Sequence, residues 1–471
     1  MIIEENRIEF NSLEKEIYQH TCRLGCELMR AALEGWDSEL ARKRDRGQYR
    51  NKGKRKTVIK TIMGELEYER TVYEVVSEGG TKSYVYLLDE AMGKVGSGFM
   101  SGMLSEQIVQ ASCENTYRGA ARVVSEMTGQ RISHTAAWNV VQALGGRLDE
   151  VEKQEAKLAA KGGGRGEVEA KLLFEEQDGI WLKLQGKSRK AYGPSKEMKL
   201  AIAYDGAVKV GKKRYELTNK VACANFEGIE SFVKRKEGVI ASVYNTDEIE
   251  MRLLGGDGAG WVRRSQTDET VHFQLDQFHR NKAVLQYVAD PDARKVIMKL
   301  LYEKEIGLLF AAIEGYAELS EDTKEQENYL KLLKYFQNNQ DGLVPCHQRG
   351  LELPGSPEGC TYRHLGAMES NIFTILGNRM KGRRACWSIK GGDNLARLLC
   401  LKFTGRLSNK THNLTSCTLP RHYADEVPLQ LSAAKSPAHE GKGYAGLHQM
   451  RIPSKMKWLK DLSSLRSFAD I

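Results

Sequence analysis

The sequence predicts a multidomain α/β protein, with a helix-rich first third that carries a short β-hairpin and a strand-rich core after it. Three observations carry this. The chain has 471 residues, more than one ordinary hydrophobic core organises, so two or three domains are expected. Residues 102–147 keep apolar positions at helical spacing, and a glycine linker at 162–166 then marks a domain boundary. Beyond it, β-branched and aromatic runs alternate with helical patterns.

Composition narrows the class. Hydrophobic residues make up 41% and charged residues 28%, as in a soluble globular protein. No apolar run reaches the ~18 to 20 residues of a membrane helix. The opening "MIIEENRIEF" is acidic and has no signal-peptide core. A cytoplasmic protein without a membrane partner is expected. Nine cysteines at irregular spacing argue against a disulfide framework. The net charge of +9, from 71 basic and 62 acidic residues, is a modest basic bias compatible with a polyanion.

The elements follow in order. Leu13, Ile17, Leu24 and Leu28 predict a helix over residues 4–40. "RKRDRGQYRNKGKRK" at 42–56 follows. Its nine cations are Arg42, Lys43, Arg44, Arg46, Arg50, Lys52, Lys54, Arg55 and Lys56, and Asp45 is its only acid. A solvated loop is the usual fate of such a run. With so little local counter-charge, contact with a phosphate backbone is favoured, and Gly47 and Gly53 are expected to keep it flexible. Runs on both sides of Met63-Gly64 predict a hairpin, and 83–90 a third strand. Between 117 and 147 two amphipathic helices flank Thr128-Gly129-Gln130, with Ser133 as N-cap of the second. This resembles a helix-turn-helix, whose base readers would be His134, Thr135 and Asn139; a plain helical hairpin is the alternative.

After the linker, strands are expected at 170–185, 197–204 and 217–226, then a helix from 228. A strand ending at Asp257, a strand "VHFQLD" and a helix from Gln277 follow. Residues 290–340 read as helical, and a further helix starts near Met368. Three carboxylates stand out by position: Asp178 inside an apolar strand, Asp257 at a strand end, and Glu369 opening a helix. A charge inside a buried strand is costly unless it is paired or binds a metal. Acids spread over several elements of one sheet suit divalent cations, which activate the attacking oxygen and stabilise the leaving oxygen of a phosphodiester displacement. Taken singly, each acid is more often a cap or a surface group. Asp276 and His279 add an Asp-x-x-His pair on one helix face, a weak signal alone. "QGKS" lacks the preceding glycine of a phosphate-binding loop, since Trp181 stands there, and "GGDGAG" lacks dinucleotide spacing. Cys346, His347, Cys360 and His364 fit no common zinc spacing. Trp181, Trp261 and Trp387 are expected in the core.

The order Asp178, Asp257, Asp276-x-x-His279, Glu369 resembles the DDE transposases of the broad Mutator-like group. Several blocks, among them "FEEQDGIWLKLQGK", "GDGAGWV", "FQLDQFHRNKAV" and "RMKGRRACWSIKGGDNLA", are similar to the ISLre-type bacterial insertion-sequence transposases, also catalogued as an uncharacterised protein family. The likeness runs from about residue 40 to about 445. It implies a ribonuclease-H-like mixed-sheet catalytic domain over 167–400, with an all-helical insertion at about 290–360. An N-terminal region (1–100), a helix-turn-helix DNA-binding region (101–161) and a C-terminal tail (401–471) would complete the chain. It implies double-stranded DNA as partner: the protein would bind terminal inverted repeats, cut the ends and join them to target DNA, as a homo-oligomer in the bacterial nucleoid. Asp178, Asp257 and Glu369 would hold two Mg²⁺ or Mn²⁺ ions, His279 and Asp276 would support them, and Arg379, Lys381, Arg383 and Arg384 would face the DNA backbone. A catalytically unused DNA-binding relative, or a nuclease of the same fold, is the competing reading.

Overall fold

Two compact units are formed: one takes in the chain to Gln107 and Val123–Ile132, the other Ile108–Arg122 and Ser133–Leu414. The computed structural model describes residues 9–77, 80–93, 100–382 and 384–415.

The first unit contains helix α1 (Phe10–Lys43), strands β1 (Arg50–Thr61), β2 (Gly64–Val76) and β3 (Lys82–Val85), and helix α2 (Leu87–Ala91). The strands form an antiparallel sheet in the order β1-β2-β3. The expected hairpin is present, with Thr61 paired to Gly64, whose φ of 152° suits glycine. Leu33 and Trp36 of α1 cluster with Ile59, Leu66 and Tyr68. Asp37 is buried beside them and accepts the N–H and hydroxyl of Thr71 at 3.0 and 2.6 Å. The stretch at 83–90 is a strand only in its first half and turns helical at Leu87.

The basic stretch departs from the flexible loop expected. Arg50, Lys52, Lys54, Arg55 and Lys56 lie on β1, and Gly53 sits at a bulge with φ 92°. The neighbouring strand supplies counter-charges that the local sequence does not show. Lys52 lies 3.2 Å from Glu74, and Lys56 lies 2.9 Å from Glu67. Arg44 folds back, donating to the Tyr49 carbonyl at 3.2 Å and lying over the Tyr73 ring. Arg42, Lys43 and Arg46 are exposed where α1 ends and the turn begins.

Helices α3 (Gly102–Glu114) and α4 (Tyr117–Thr128) contribute residues to both units. The second unit then runs through α5 (His134–Ala159), β4 (Leu172–Lys183), α6 (Gly186–Tyr192) and β5 (Ser195–Tyr204). A small hairpin, β6 (Ala207–Lys209) and β7 (Tyr215–Leu217), precedes β8 (Val221–Asn225) and α7 (Ile229–Ala241). Next come β9 (Met251–Gly256), α8 (Gly260–Arg263), β10 (Val271–Leu275) and α9 (Gln277–Tyr287). Helices α10 (Pro291–Glu303), α11 (Ile306–Leu319), α12 (Thr323–Asn338) and α13 (Gln340–Leu343) fill the stretch expected to be helical. Helix α14 (Met368–Ile372) continues as a π-helical segment, Phe373–Lys381, before α15 (Ile389–Phe403) and α16 (Leu407–Thr415).

The five-stranded sheet has the order β10-β9-β4-β5-β8. Strand β4 is antiparallel to β5 and parallel to β9; β5–β8 is antiparallel and β9–β10 parallel. Helices cover both faces. Leu172, Phe174, Ile180 and Leu182 of β4 pack with residues of α5, the π-helical segment and α15. Leu254, Val271 and Phe273 pack towards α7, α9 and the helices that follow. Burial on both faces over 172–177 matches the unbroken apolar lead-in Leu172, Leu173 and Phe174 of the central strand.

Helix α5, expected to close a separate DNA-binding region, packs inside this second unit. A Cβ on Gly145 would lie 2.5 Å from Asn394 of α15, so glycine permits the close approach. Ser133 caps the helix as expected, accepting from the Ala136 N–H at 3.0 Å. The expected boundary at 400 falls within α15, and residues 416–471 of the expected tail lie outside the described residues. Among the described residues, no helix is long and apolar enough to cross a membrane.

Candidate metal centre

Three aspartates stand in a row where the parallel pairing ends: β9 and β10 stop just before Asp257 and Asp276, while β4 runs on past Asp178 to Lys183. The register pairs Gln177 of β4 with Gly256 of β9, and Gly256 with Leu275 of β10. The next residue of each is Asp178, Asp257 or Asp276. The Asp276 N–H donates to the Gly256 carbonyl at 2.8 Å and keeps the row in step. The carboxyl ends of parallel strands are where open α/β sheets gather ligands.

Within this row a tighter group forms. Ligand atoms of Asp178, His279 and Glu369 all lie within 4.8 Å of one another. His279 Nε2 is 3.9 Å from Asp178 Oδ2, and its Nδ1 is 3.9 Å from Asp276 Oδ2, a charge contact rather than a formed hydrogen bond. Asp276 caps α9 by accepting the Phe278 N–H at 2.6 Å, and this aims the helix at the row. Glu369 arrives in the first turn of α14.

The electrostatics follow from crowding. Burial pushes the Asp178 carboxyl up to about 6. The Gly179 N–H at 2.7 Å and the His279 charge oppose this, and the charges of Asp257 and Glu369 add to it. The Asp276 carboxylate, and after burial's opposing effect Asp178, hold the His279 imidazole above its usual value. Burial raises Asp276, but His279 and the Phe278 N–H outweigh it and hold that carboxyl low.

The group differs from the expected triple. Asp257 lies beside it rather than within it; its Oδ1 accepts the Ala259 N–H at 2.8 Å across a turn in which Gly258 takes φ 82°. The Tyr335 hydroxyl binds the Asp257 carbonyl at 2.8 Å and fixes that turn. His279, expected only as support, takes the third place. Two carboxylates and an imidazole, with negative charge in excess, fit a divalent cation. The nitrogen donor suits Mn²⁺ better than Mg²⁺, which prefers oxygen. Among the described residues Asp257 Oδ2 accepts no hydrogen bond, and Asp257 follows directly on the neighbouring strand end.

An open cleft of about 590 Å³ lies over the group. Trp181, Lys282, Phe373 and Lys381 line it beside the acids. Trp181 is 59% exposed, not in the core as expected, whereas Trp261 and Trp387 are buried. Lys282 was not among the expected residues, although a three-residue helical step from His279 points to it. Arg379 is half-buried, donating to the Ser112 carbonyl at 2.8 Å and lying over the Tyr117 and Trp387 rings. Arg384 is exposed, and Arg383 lies outside the described residues. His134, Thr135 and Asn139 are exposed on the first turns of α5.

Sequence reasoning also missed Glu176. This carboxylate is 2% exposed and accepts from Tyr204 Oη and from three consecutive backbone N–H groups, Gly366 to Met368. Burial pushes its carboxyl up, against the pull of those donors. No local pattern announces donors 190 residues away.

Fold and site together define an α/β chain with an acid-and-histidine centre at the ends of parallel strands. It belongs to the uncharacterised protein family UPF0236, whose profile matches residues 3–414. One UPF0236 protein of Caldanaerobacter subterraneus subsp. tengcongensis is 24% identical over 400 residues, 84% of this chain and 78% of the relative. A second from the same organism is 23% identical over 397 residues, 83% of this chain and 78% of that one. Among solved structures, the Drosophila P element transposase strand transfer complex is similar at a TM-score of 0.22 and 11% identity, over 73% of this chain and 89% of that one. That similarity is too low to assign a fold.

Proposed function

We propose that this protein is the transposase of a bacterial insertion sequence, a metal-dependent enzyme with a ribonuclease-H-like core. It binds the terminal inverted repeats of its element, cuts the DNA ends and joins them to target DNA. The observation that carries the reading is the convergence of Asp178, His279 and Glu369, from three distant stretches of chain, beside the point where the parallel strand pairing ends, under an open cleft. A mixed sheet with helices on both faces and an acid on its central strand is what the ribonuclease-H-like reading requires. The relatives add support. One name joins eleven locus designations in a single organism, and another joins four. A protein recurring at many loci of one genome is what a self-mobilising element leaves behind.

Asp178, Glu369 and His279 would hold a divalent cation, with Asp257 beside them. When bound, it would supply charge stabilisation at the phosphoryl oxygens and a more acidic attacking hydroxyl or water. Asp276 orients His279. Lys282 and Lys381 on the cleft would hold the phosphate backbone, and Trp181 and Phe373 offer flat apolar faces to sugars and bases. The exposed cations of β1 would add sequence-independent contact, and His134, Thr135 and Asn139 would read the repeats. Two DNA ends must meet, so a homo-oligomer on DNA in the bacterial cytoplasm is part of the proposal.

The test is incubation of the purified protein with Mg²⁺ or Mn²⁺ and a labelled duplex carrying the repeat that flanks its own gene. A scrambled duplex and the Asp178→Asn protein serve as controls. Metal-dependent cutting at the repeat and joined products, both abolished in the variant, are expected. Cutting without joining would make the protein a nuclease; specific binding without cutting would make it a regulator.

A further inference from the structure

Glu176 lies two residues before Asp178 on β4, so both side chains leave the same face of the sheet. Its carboxylate meets four donors. Oε1 accepts the Tyr204 hydroxyl at 2.6 Å and the Ala367 N–H at 3.1 Å. Oε2 accepts the Gly366 N–H at 2.9 Å and the Met368 N–H at 3.0 Å. The three backbone donors are the residues that lead directly into Glu369.

We propose that Glu176 is the positioning residue of the metal centre: it ties the start of the Glu369 helix to the strand that bears Asp178, and so sets the spacing of those two carboxylates. The inference rests on the metal-centre reading and adds a part to it. A metal site needs its ligands held to about 0.5 Å. Asp178 and Glu369 are 369 − 178 = 191 residues apart, and the chain alone cannot hold them so. Through Glu176 the path is short. It runs two residues along an extended strand, across charge-assisted hydrogen bonds, and one residue into the helix. Phe174 and Ile180 show that this face of β4 accepts apolar side chains. An apolar residue here would leave the Gly366, Ala367 and Met368 N–H groups and the Tyr204 hydroxyl without this acceptor, so the acid caps the helix start as well as tying it to β4. The approach of three consecutive N–H groups depends on Gly366, whose φ of 138° side-chain-bearing residues rarely adopt.

Mn²⁺ binding to the full chain, followed by electron paramagnetic resonance, tests this without reference to cleavage. Thermal melting and circular dichroism report folding in parallel. Glu176→Gln keeps the size but turns N–H₂ donors towards backbone donors. It is expected to weaken Mn²⁺ binding by about tenfold or more, the usual effect of losing a residue that supports a ligand. Gly366→Ala should act in the same direction, and Tyr204→Phe, which leaves the backbone bonds intact, less. Should Glu176→Gln fail to fold, Gly366→Ala and Tyr204→Phe decide. Asp178→Asn is the control that removes a ligand outright. If Asp178→Asn loses Mn²⁺ while the folded Glu176, Gly366 and Tyr204 variants bind like wild type, the positioning role is overturned and the metal centre stands. If wild type binds no Mn²⁺, or Asp178→Asn binds it unchanged, the metal centre falls and the role of Glu176 with it.

Discussion

The two faces of β4 bury acids in opposite ways. On one face Glu175, 1% exposed, is matched by built-in cations: Lys236 lies at 2.6 Å, and Arg252 bonds its other oxygen. Glu237 completes that network through Lys236 at 2.8 Å and Arg252 at 2.9 Å. On the other face Asp178 and Glu369 share one histidine and no lysine or arginine within ion-pair distance among the described residues. Charge balanced from inside the chain is architecture. Charge left in surplus beside an open cleft is what the proposed metal site requires.

Breaking the balanced face should have the largest effect. Lys236→Met leaves Glu175 and Glu237 to share Arg252, and removing one partner of a buried pair costs about 3–5 kcal/mol. Urea unfolding would show this as a lowered midpoint.

The unbalanced face should respond with the opposite sign. Holding Asp178 ionised in the fold costs about 3 kcal/mol at neutral pH, from its rise from 3.8 to about 6. Asp178→Asn should therefore raise the melting temperature of the metal-free protein at pH 7 by several degrees, while removing any stabilisation by Mn²⁺. A lowered melting temperature would mean that Asp178 is balanced by a partner after all.

The pH dependence follows from the same groups. Between pH 3.8 and about 6 the unfolded chain gives up the Asp178 proton more readily than the fold does. Its stabilising effect is thus lost across that window as pH rises. His279 holds its proton more tightly in the fold, so its contribution is present below the ordinary imidazole range and lost above it. The metal-free protein should melt at a lower temperature at pH 8 than at pH 5, and Asp178→Asn should flatten the difference.

The smallest effect applies the same contrast to β1. Lys52 and Lys56 already face Glu74 and Glu67, whereas Lys54 and Arg55 form no ion pair among the described residues. Neutralising Lys54 or Arg55 should lower the slope of log affinity for duplex DNA against log salt by about 0.9 for each phosphate that is no longer neutralised. Neutralising Lys52 or Lys56 should lower it less.

Much of the core is legible in the sequence because it depends on local periodicity. The run at 170–185 becomes Leu172–Lys183, and the Ser133 cap and Asp276-x-x-His279 spacing stand where reading puts them. What is not legible depends on partners distant in sequence. The basic stretch reads as a loop until Glu67 and Glu74 stand across from it. Trp181 reads as core because nothing local says that β4 runs on past the end of β9 and leaves it exposed beside a cleft. Strand-end position marks Asp257, but does not reveal that one of its oxygens accepts the Ala259 N–H. Glu175 and Glu176 are adjacent and alike in sequence, yet one meets cations and the other backbone N–H groups.

The π-helical stretch after Glu369 has a mechanical consequence. Ordinary winding advances about 100° per residue; the wider turn advances less. Phe373, Gly377 and Lys381, spaced by four, all line the cleft as successive teeth of one rack. Deleting one residue between Phe373 and Gly377 would let the segment rewind to the narrower gauge and carry Lys381 off the track. If Glu369 and Lys381 act together as proposed, the number of residues between them becomes a working dimension of the molecule.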